Sequence, residues 1–531
     1  MITKNKTNDK TIKNSFALFL VGSLLMTSLW GCGTKKDITT SGTSEVSVES
    51  TENNTSEDNS SDTEKSESKE TASGNYLSKS DLTINETYED TGDGTHAIEA
   101  DGETAEYSDI EVVKTGDADG DEADFYGENA AIFATNGATL TLSGIYVKTD
   151  GTHANGVFSY GEGTTVNISD SVIETAGNCS GGLMTTGGGT MNASNLTINT
   201  TGNSSAAIRS DRGGGTVNVN GGYYKTEGTG SPVIYSTADI TVSDSYLEST
   251  ASQGVVVEGK NSVTLNNCEL IADNNTKNSD KSDVYQAVMI YQSMSGDAAN
   301  GTSSFNMTGG SLTNANGDIF FVNNTACTID LNDVKITNND SDGIFLRAEA
   351  AGWGNSGSNG GKVTLTATKQ EINGDISVDD VSALNLYLTK ESTFAGSINE
   401  DGKAGEVYVE LDSTSTWTLT ADSYITSLTC DKGCINLNGH TLYVNGQAYT
   451  DGSSSTGEAI EIVSENASGN NPNTPDDDSP EMNQGSNGEP PEMNQGSNGE
   501  PPEMNQSSNG EPPKKPSNDG KTPPEKPSDD N

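Results

Sequence analysis

The sequence predicts an all-β chain whose centre folds as a single parallel β-helix of about 13–15 coils. Apolar pairs recur at a nearly constant spacing, and their positions stay in register from one repeat to the next. The composition also suits short strands joined by tight turns: hydrophobic residues are 31% and aromatic residues 6% of the chain, while Gly numbers 60. Such a composition disfavours a helical bundle or a large α/β enzyme core.

The apolar pairs define a repeat of mostly 23–26 residues in which apolar and polar side chains alternate. Short alternating runs bounded by Gly, Asn, Asp and Ser are typical of strands separated by turns. Two longer intervals indicate insertions into the repeat. The runs begin at Leu140, Val166, Met191, Val217, Ile240, Val263, Phe305, Ile329 and Val363.

Further apolar positions follow the start of each run, two and seven residues on and, in the regular repeats, seventeen residues on. A single coil cannot bury its own inward residues, so stacked coils should align these positions in ladders. The second position holds Leu142, Ile168, Ala193, Val219, Val242, Leu265, Met307 and Leu331; the third holds Val147, Ile173, Ile198, Tyr224, Leu247, Leu270, Leu312 and Ile336; the fourth holds Val157, Leu183, Ile208, Ile234 and Val257.

The charge balance limits the partners of the chain. Lys and Arg total 28 against 78 Asp and Glu, a formal net charge of −50. A polyanion of this size repels phosphate backbones and anionic lipid headgroups. We therefore expect no nucleic-acid partner.

Residues 1–31 have the pattern of an export signal. Four lysines up to Lys13 precede a short apolar stretch, which ends at Leu29-Trp30-Gly31-Cys32. This end resembles a bacterial lipobox, which implies lipidation of Cys32 and attachment to the membrane on the extracellular face of the cell. An ordinary secretory signal followed by a chance Cys is the alternative.

Composition divides the rest of the chain into three parts. Residues 32–75 are acidic and rich in Ser and Thr, which predicts a disordered tether. Residues 76–464 carry the β-helix pattern. Residues 465–531 contain 13 of the 14 prolines and a repeated Glu-Met-Asn-Gln motif, which predicts a disordered tail.

The coil length, the ladder pattern and two closing segments resemble known proteins. The segments are Ser415–Thr420, with sequence STWTLT, and Ile435–Val444, with sequence INLNGHTLYV. Together these features resemble the right-handed parallel β-helix of the pectin-lyase-like superfamily, in the form found in surface lipoproteins of Gram-positive bacteria. The resemblance implies a right-handed coil and an adhesin-like role, although this fold hosts unrelated activities.

Two outward rows of side chains, two residues apart along each strand, form the predicted binding face. It follows the strands whose inward residues include Val157, Ile208 and Ile234, and we expect residues 272–303 and 348–361 to overhang it. Aromatic faces with Arg and Asp suit sugar rings and their hydroxyls, so the expected partner is an extracellular glycan or a host or cell-surface protein. Solvated side chains around an Arg–Asp pair are the alternative. The face comprises Phe158, Tyr160, Met184, Arg209, Asp211, Tyr235, Tyr291 and Arg347.

The predicted function is therefore a non-catalytic adhesin or polysaccharide-binding β-helix. A polysaccharide lyase or glycoside hydrolase is the alternative, and its candidate residues are Arg209, Asp211 and Arg212. We expect no group of Asp or Glu on neighbouring coils beside these three residues. A purely structural envelope spacer is the third hypothesis.

No cofactor is expected apart from a candidate Ca²⁺ loop. Asp117, Asp119, Asp121 and Glu128 follow the spacing of such a loop, with Asp124 between them. The residue at its sixth position, however, is Glu122, where the sharp turn favours Gly. An acidic loop without an ion is the alternative.

The cysteines after Cys32 allow one local disulfide, between Cys430 and Cys434. Cys268 and Cys327 occupy strand positions and are expected to pack as small apolar side chains.

Overall fold

The structure, a computed structural model, describes residues 75–403 and 405–463. The predicted signal peptide, Cys32, the tail and all of the tether except Asn75 lie outside these residues. Within them the chain is an all-β parallel β-helix, as predicted, with three parallel ladders that define three faces. In the described residues no helix has the length and apolar character needed to span a membrane.

The first face is the longest ladder, with thirteen strands in register, which agrees with the predicted number of coils. Its strands are Thr104–Ser108, Thr139–Ser143, Thr165–Ser169, Gly189–Thr200, Gly215–Thr226, Asp239–Ser249, Ser262–Asn266, Thr302–Thr308, Thr325–Asn332, Gly361–Thr368, Ala383–Thr389, Glu406–Leu411 and Ser427–Thr429.

The second face includes the later halves of Gly189–Thr200, Gly215–Thr226 and Asp239–Ser249, which turn the corner without a break. Its other strands are Glu86–Asp90, Ile110–Lys114, Tyr146–Thr149, Val172–Thr175, Glu269–Ala272, Ser311–Asn314 and Lys335–Asn338. The third face consists of Ile98–Asp101, Ile132–Thr135, Val157–Tyr160, Leu183–Thr186, Ile208–Ser210, Ile234–Ser236, Val255–Glu258, Gln286–Tyr291, Asp318–Asn323, Leu346–Ala348 and Ile376–Val378.

The last coils carry shorter strands. A fourth ladder is formed by Glu371–Asn373, Thr393–Ala395, Thr416–Thr418 and Ile435–Asn436, and a small sheet by Ser423–Ile425, Leu442–Val444 and Gln447–Ala448. The two described helices are short: a 3₁₀ turn at Lys79–Asp81 and an α-helix at Asp121–Phe125.

Stacked inward residues form one continuous core, as the repeat predicts. Leu142 pairs with Ile168, Ile168 with Ala193, and Ala193 with Val219, and all four side chains are buried. Cys268 and Cys327 are buried in the same core. Their packing as small apolar side chains is therefore confirmed.

The register differs from the prediction at two positions. Ile234 pairs with Val255 rather than Val257, because the turn before that strand is two residues shorter. Ile329 pairs with Leu365, and Val363 pairs with Cys327 instead. In both coils the alternation is correct but shifted by two residues, which preserves the inward face.

The corner between the second and third faces brings the backbones of successive coils unusually close together. A Cβ added to Gly202 would lie 1.8 Å from the carbonyl oxygen of Gly177, and one added to Gly177 would lie 1.9 Å from that of Gly151. Beside them the hydroxyl of Ser205 donates to the Gly177 carbonyl at 3.1 Å and accepts from the Ser180 amide at 2.9 Å. Only Gly fits this corner, and the serine ladder satisfies its buried backbone groups.

We therefore expect Gly202→Ala to destabilise the protein by about 3 kcal/mol, because the new methyl group overlaps backbone that cannot move aside. The measurement is the midpoint of urea denaturation followed by circular dichroism. Thr201→Ala, at the exposed neighbouring position, is the control. Equal midpoints for the two variants would contradict the proposed close packing.

Candidate functional site

The predicted outward row is present on the third face. Phe158 pairs with Met184, Met184 with Arg209, and Arg209 with Tyr235 on consecutive coils. Arg347 lies further along the same row, opposite Phe321. The spacing of the repeat therefore located this row correctly.

One end of the row is covered by residues 117–128, which include the helix Asp121–Phe125. A Cβ on Gly127 would lie within 3.0 Å of the rings of Phe133 and Phe158, and the hydroxyl of Thr186 donates to the Phe125 carbonyl at 2.7 Å. Phe133, Phe158 and Met184 thus form a small apolar cluster outside the main core.

The other end is covered by the insertion before Gln286–Tyr291 and by the loop that carries Trp353. The ring of Trp353 meets that of Tyr291 edge to face at 5.3 Å, and the two pack in one cluster with Tyr235, Met289 and Phe321. Residues 272–303 and 348–361 were expected to overhang the row. They do so closely enough to remove its side chains from water.

The predicted exposure of the row is therefore wrong for most of its members. Phe158, Met184 and Tyr291 are fully buried, and Arg209, Asp211 and Tyr235 are less than a tenth exposed. Tyr160 and Arg347 are half-buried. The role of these eight residues in binding stays a prediction, and in this structure a polymer has no direct access to most of them.

The two arginines beside Asp211 have different roles. The Arg209 guanidinium pairs with the Asp211 carboxylate at 2.8 Å beneath the covers. Arg212 pairs with Asp121 at 2.9 Å and with Asp297 at 2.7 Å, and it lies 3.7 Å from the centre of the Phe125 ring. Because Asp121 belongs to the first cover and Asp297 to the loop after Gln286–Tyr291, Arg212 ties that cover to this loop.

The sequence did not predict the acidic groups that gather here. Glu258 accepts hydrogen bonds from the hydroxyls of Tyr235 and Tyr291, the latter at 3.1 Å, and its side chain is buried. Burial raises the pKa of Glu258 to about 7, and burial also raises the pKa of Asp211 to about 6 although Arg209 opposes the shift. The expectation that no carboxylates lie beside Asp211 is therefore wrong.

Raised carboxyl pKa values are common at catalytic sites, because a group poised near neutral pH can exchange protons with a substrate. Such a group must also lie within hydrogen-bond reach of the bond that reacts. Glu258 and Asp211 lie under both covers and are engaged by neighbouring tyrosine and arginine side chains. Their contacts are those of buried structural groups.

The acidic residues of the predicted calcium loop take separate partners. Asp117 accepts the Thr152 amide at 2.8 Å, Asp119 accepts the Gly120 amide at 3.0 Å, and Asp121 pairs with Arg212. A helix begins at Asp121, in the middle of the proposed loop. Ca²⁺ binding by Asp117, Asp119, Asp121 and Glu128 stays a prediction.

A different group of ligand-type atoms comes together nearby. Within residues 75–403 and 405–463, the side chains of Asp124, His153 and Cys179 have ligand atoms within 4.8 Å of one another. His153 Nε2 lies 2.6 Å from Asp124 and His153 Nδ1 lies 2.8 Å from the Ala118 carbonyl. Burial lowers the pKa of His153, but the Asp124 carboxylate outweighs burial and raises it above its ordinary value. Both ring nitrogens are thus used to hold residues 117–128 against the coil.

The predicted disulfide between Cys430 and Cys434 is not formed in the structure, where both residues are free thiols. The Cys434 sulfur lies 3.5 Å from the Asp412 carbonyl, and Cys430 lies 4.0 Å from the Tyr449 hydroxyl. Each thiol is directed toward its own polar contact, and burial raises the pKa of both.

The first face, which the sequence did not single out, carries the most regular open surface. Over seven consecutive coils its strands present three outward rows, and each of the 21 side chains is partly or fully exposed. Twenty of them are Thr, Ser or Asn. We call this surface the hydroxyl–amide array. Its rows are Thr139, Thr165, Thr190, Thr216, Asp239, Ser262 and Ser304; Thr141, Asn167, Asn192, Asn218, Thr241, Thr264 and Asn306; and Ser143, Ser169, Ser194, Asn220, Ser243, Asn266 and Thr308.

The middle row of the array is held by hydrogen bonds between its own side chains. The amide of Asn218 donates to Asn192 at 3.0 Å, and the amide of Asn192 donates to Asn167 at 3.0 Å. A groove of about 440 Å³ runs along this ladder, between Thr141 and Ser243. The array thus offers preordered donors and acceptors at the strand spacing, about 4.8 Å per coil.

Comparison with protein-family models, with curated proteins and with solved structures finds no match. The site is therefore assigned from its own geometry.

The buried carboxyl groups make stability depend on pH. The folded pKa of Glu258, about 7, lies above its ordinary value of 4.5, so between these values the folded protein binds more protons than the unfolded chain. The contribution of Glu258 is complete below about pH 4.5 and is lost as the pH rises through 7. The free energy of unfolding should therefore fall with rising pH across this interval. We expect Glu258→Gln to make that fall smaller by on the order of 3 kcal/mol.

The measurement is the free energy of unfolding across this pH interval, compared between wild type and Glu258→Gln. Glu162→Gln, which changes an exposed carboxylate, is the control and should leave the slope unchanged. If stability changes with pH by the same slope in all three proteins, burial does not raise the pKa of Glu258.

Proposed function

We propose that this chain is a non-catalytic β-helix protein that holds an extended extracellular polysaccharide along its first face. The observation that carries the proposal is the hydroxyl–amide array. Sugar hydroxyls both donate and accept hydrogen bonds, and so do Thr, Ser and Asn side chains. A linear polymer laid along the coil axis would meet the same groups once per coil.

The strength of binding would come from repetition. A single neutral hydrogen bond contributes only about 0.5–1.5 kcal/mol net, because water competes for both partners. The array repeats the same contacts on seven coils, and the ladder at Asn167, Asn192 and Asn218 holds its side chains in place before the ligand arrives. Preordered groups lose less entropy on binding.

The placement of the acidic groups supports binding over turnover. A lyase or hydrolase would need Arg209, Asp211 and Arg212 to reach a sugar ring. Asp211 and Arg209 are buried, and Arg212 is committed to Asp121 and Asp297. The array itself contains a single carboxylate, Asp239, whereas glycoside hydrolysis uses a pair.

Export and membrane attachment belong to the same proposal. The lipobox-like end at Cys32 and the resemblance of the closing segments to β-helix surface lipoproteins of Gram-positive bacteria support a surface lipoprotein of the adhesin type. A lipid-anchored population on one cell would bind a polymer at many points at once, which raises avidity without new contacts. Ca²⁺ at Asp117, Asp119, Asp121 and Glu128 is not needed for this function.

Removing the centre of the array should weaken binding. We expect the double variant Asn192→Ala with Asn218→Ala to lower polysaccharide affinity about tenfold, since two ladder amides are lost. Affinity electrophoresis of the full chain in gels that contain soluble polysaccharides measures the effect. Asn199→Ala is a matched control, because Asn199 lies on the same strand as Asn192 but faces outward from the second face.

Three outcomes would contradict the proposal. Equal loss of binding in the Asn199→Ala control would remove the assignment to the first face. Release of unsaturated or reducing-end sugars that disappears in Asp211→Asn or Glu258→Gln would favour the lyase or hydrolase hypothesis. Failure of the wild-type chain to bind any polysaccharide would favour the spacer.

Lipid attachment has its own test. Cells that express the full chain and grow with a labelled fatty acid should incorporate the label into the protein, because the anchor needs more than one acyl chain for lasting attachment. Cys32→Ser should abolish the label and release the protein into the medium. Cys430→Ser should keep both the label and the attachment to the membrane. Label in the Cys32→Ser variant would disprove this site.

A further inference from the structure

We infer that the polysaccharide held on the first face is uncharged; this inference rests on the proposed function. The array is nearly free of charge although the chain has a net charge of −50. Among its 21 outward positions Asp239 is the single ionisable side chain, and it accepts a hydrogen bond from the Ser262 hydroxyl at 2.7 Å. No Lys or Arg occupies any of the three rows.

The borders of the array reinforce this selectivity. Asp170 and Asp244 occupy exposed positions at the corner with the second face, where Asn195 and Asn267 donate to their carboxylates at 2.6 and 2.7 Å. The opposite border carries exposed Glu162 and exposed Lys260, and half-buried Arg212 there is paired with Asp121 and Asp297. The exposed border positions therefore hold three carboxylates and one ammonium group.

This charge distribution acts differently on neutral and anionic polymers. A carboxylated or sulfated polymer would approach an acidic border and find no cation within the rows to pair with, so its own desolvation would be uncompensated. An uncharged polymer meets hydroxyl and amide groups that exchange hydrogen bonds with it and loses nothing to repulsion. The array therefore selects by excluding charge as well as by binding hydroxyls.

The arginines of the chain do not supply the missing cation. Arg209 pairs with Asp211, Arg212 with Asp121 and Asp297, and Arg347 with Asp318 at 2.6 Å. All of these pairs lie on the third face or in its covers. Forked guanidinium groups are well suited to bind anionic sugars, but the arginines of this chain lie outside the groove.

Matched polymers that share a backbone and differ in charge test the inference. The full chain is run by affinity electrophoresis against hydroxyethylcellulose and carboxymethylcellulose, and against dextran and dextran sulfate. In whichever pair shows binding, we expect the neutral polymer to bind at least tenfold more tightly than the anionic polymer with the same backbone. The affinity for the neutral polymer should not change with salt, because no ion pairs form.

Asn192→Lys tests the cause of the preference. A cation in the middle of the ladder should reduce the preference for the neutral polymer at least threefold and make binding of the anionic polymer sensitive to salt. Asn199→Lys, with the same change on the second face, should leave the preference unchanged.

The outcomes separate the two proposals. Equal or tighter binding of the anionic polymer, lost in the Asn192→Ala and Asn218→Ala double variant, would overturn the inference while keeping the proposed function. Binding of neither polymer of either pair would overturn both. Neutral preference that Asn199→Lys alters as much as Asn192→Lys would also overturn the inference, because the selecting surface would then lie elsewhere.

Discussion

The whole structure depends on one constraint, the close approach of successive coils at the corner between the second and third faces. There the carbonyl of one glycine lies where the Cβ of the next coil would be, as Gly151, Gly177 and Gly202 show. Side chains at this corner would force the coils apart and break the parallel ladders on all three faces. The serine ladder at Ser180, Ser205 and Ser231 compensates by pairing the buried backbone groups that this contact creates.

This constraint also allows the faces to differ in the side chains that they present. Once the corners fix the register, the outward side chains of each face take no part in the main core and can differ from face to face. The first face uses this freedom for a uniform row of hydroxyls and amides. The third face receives the insertions instead, and its apolar side chains become two small secondary cores joined by Arg212.

The inward ladders were predictable because periodicity records packing within a repeat. The prediction slipped at Val257 and Val363, where a shortened turn or an added loop changes the spacing by two residues and leaves the alternation intact. The burial of Phe158 and Tyr291 was not predictable in the same way. Residues 117–128, which cover Phe158, have no counterpart in the other repeats, so no periodic signal shows where they fold. Residues 272–303 were expected to overhang the row, but the repeat does not show that they pack closely enough to bury Tyr291.

The acidic cluster illustrates the same limit. Glu258 is the last residue of the strand Val255–Glu258, directly before a turn, and Asp297 lies in an insertion, so neither suggests a contact with the coil of Asp211. Only folding brings these two carboxylates and Asp211 close to Arg209 and Arg212. Local charge patterns thus gave no warning of the pKa shifts there.

The separation of a covered, charged face from an open, neutral face argues for binding without turnover. Acid–base chemistry on a sugar needs a titratable group whose pKa is shifted and whose side chain is accessible. Here the carboxyl groups with raised pKa values and the accessible groups of the array lie on different faces. The pKa of Glu258 is shifted but its side chain is buried, whereas the exposed groups of the array are hydroxyls and amides, such as those of Asn192 and Thr241, with Asp239 as the single carboxylate. A surface with many equivalent neutral contacts and no reactive group can hold a polymer in many registers along its length. Such a surface would retain a ligand by repeated weak contacts rather than by one strong site, which suits the proposed role in attachment.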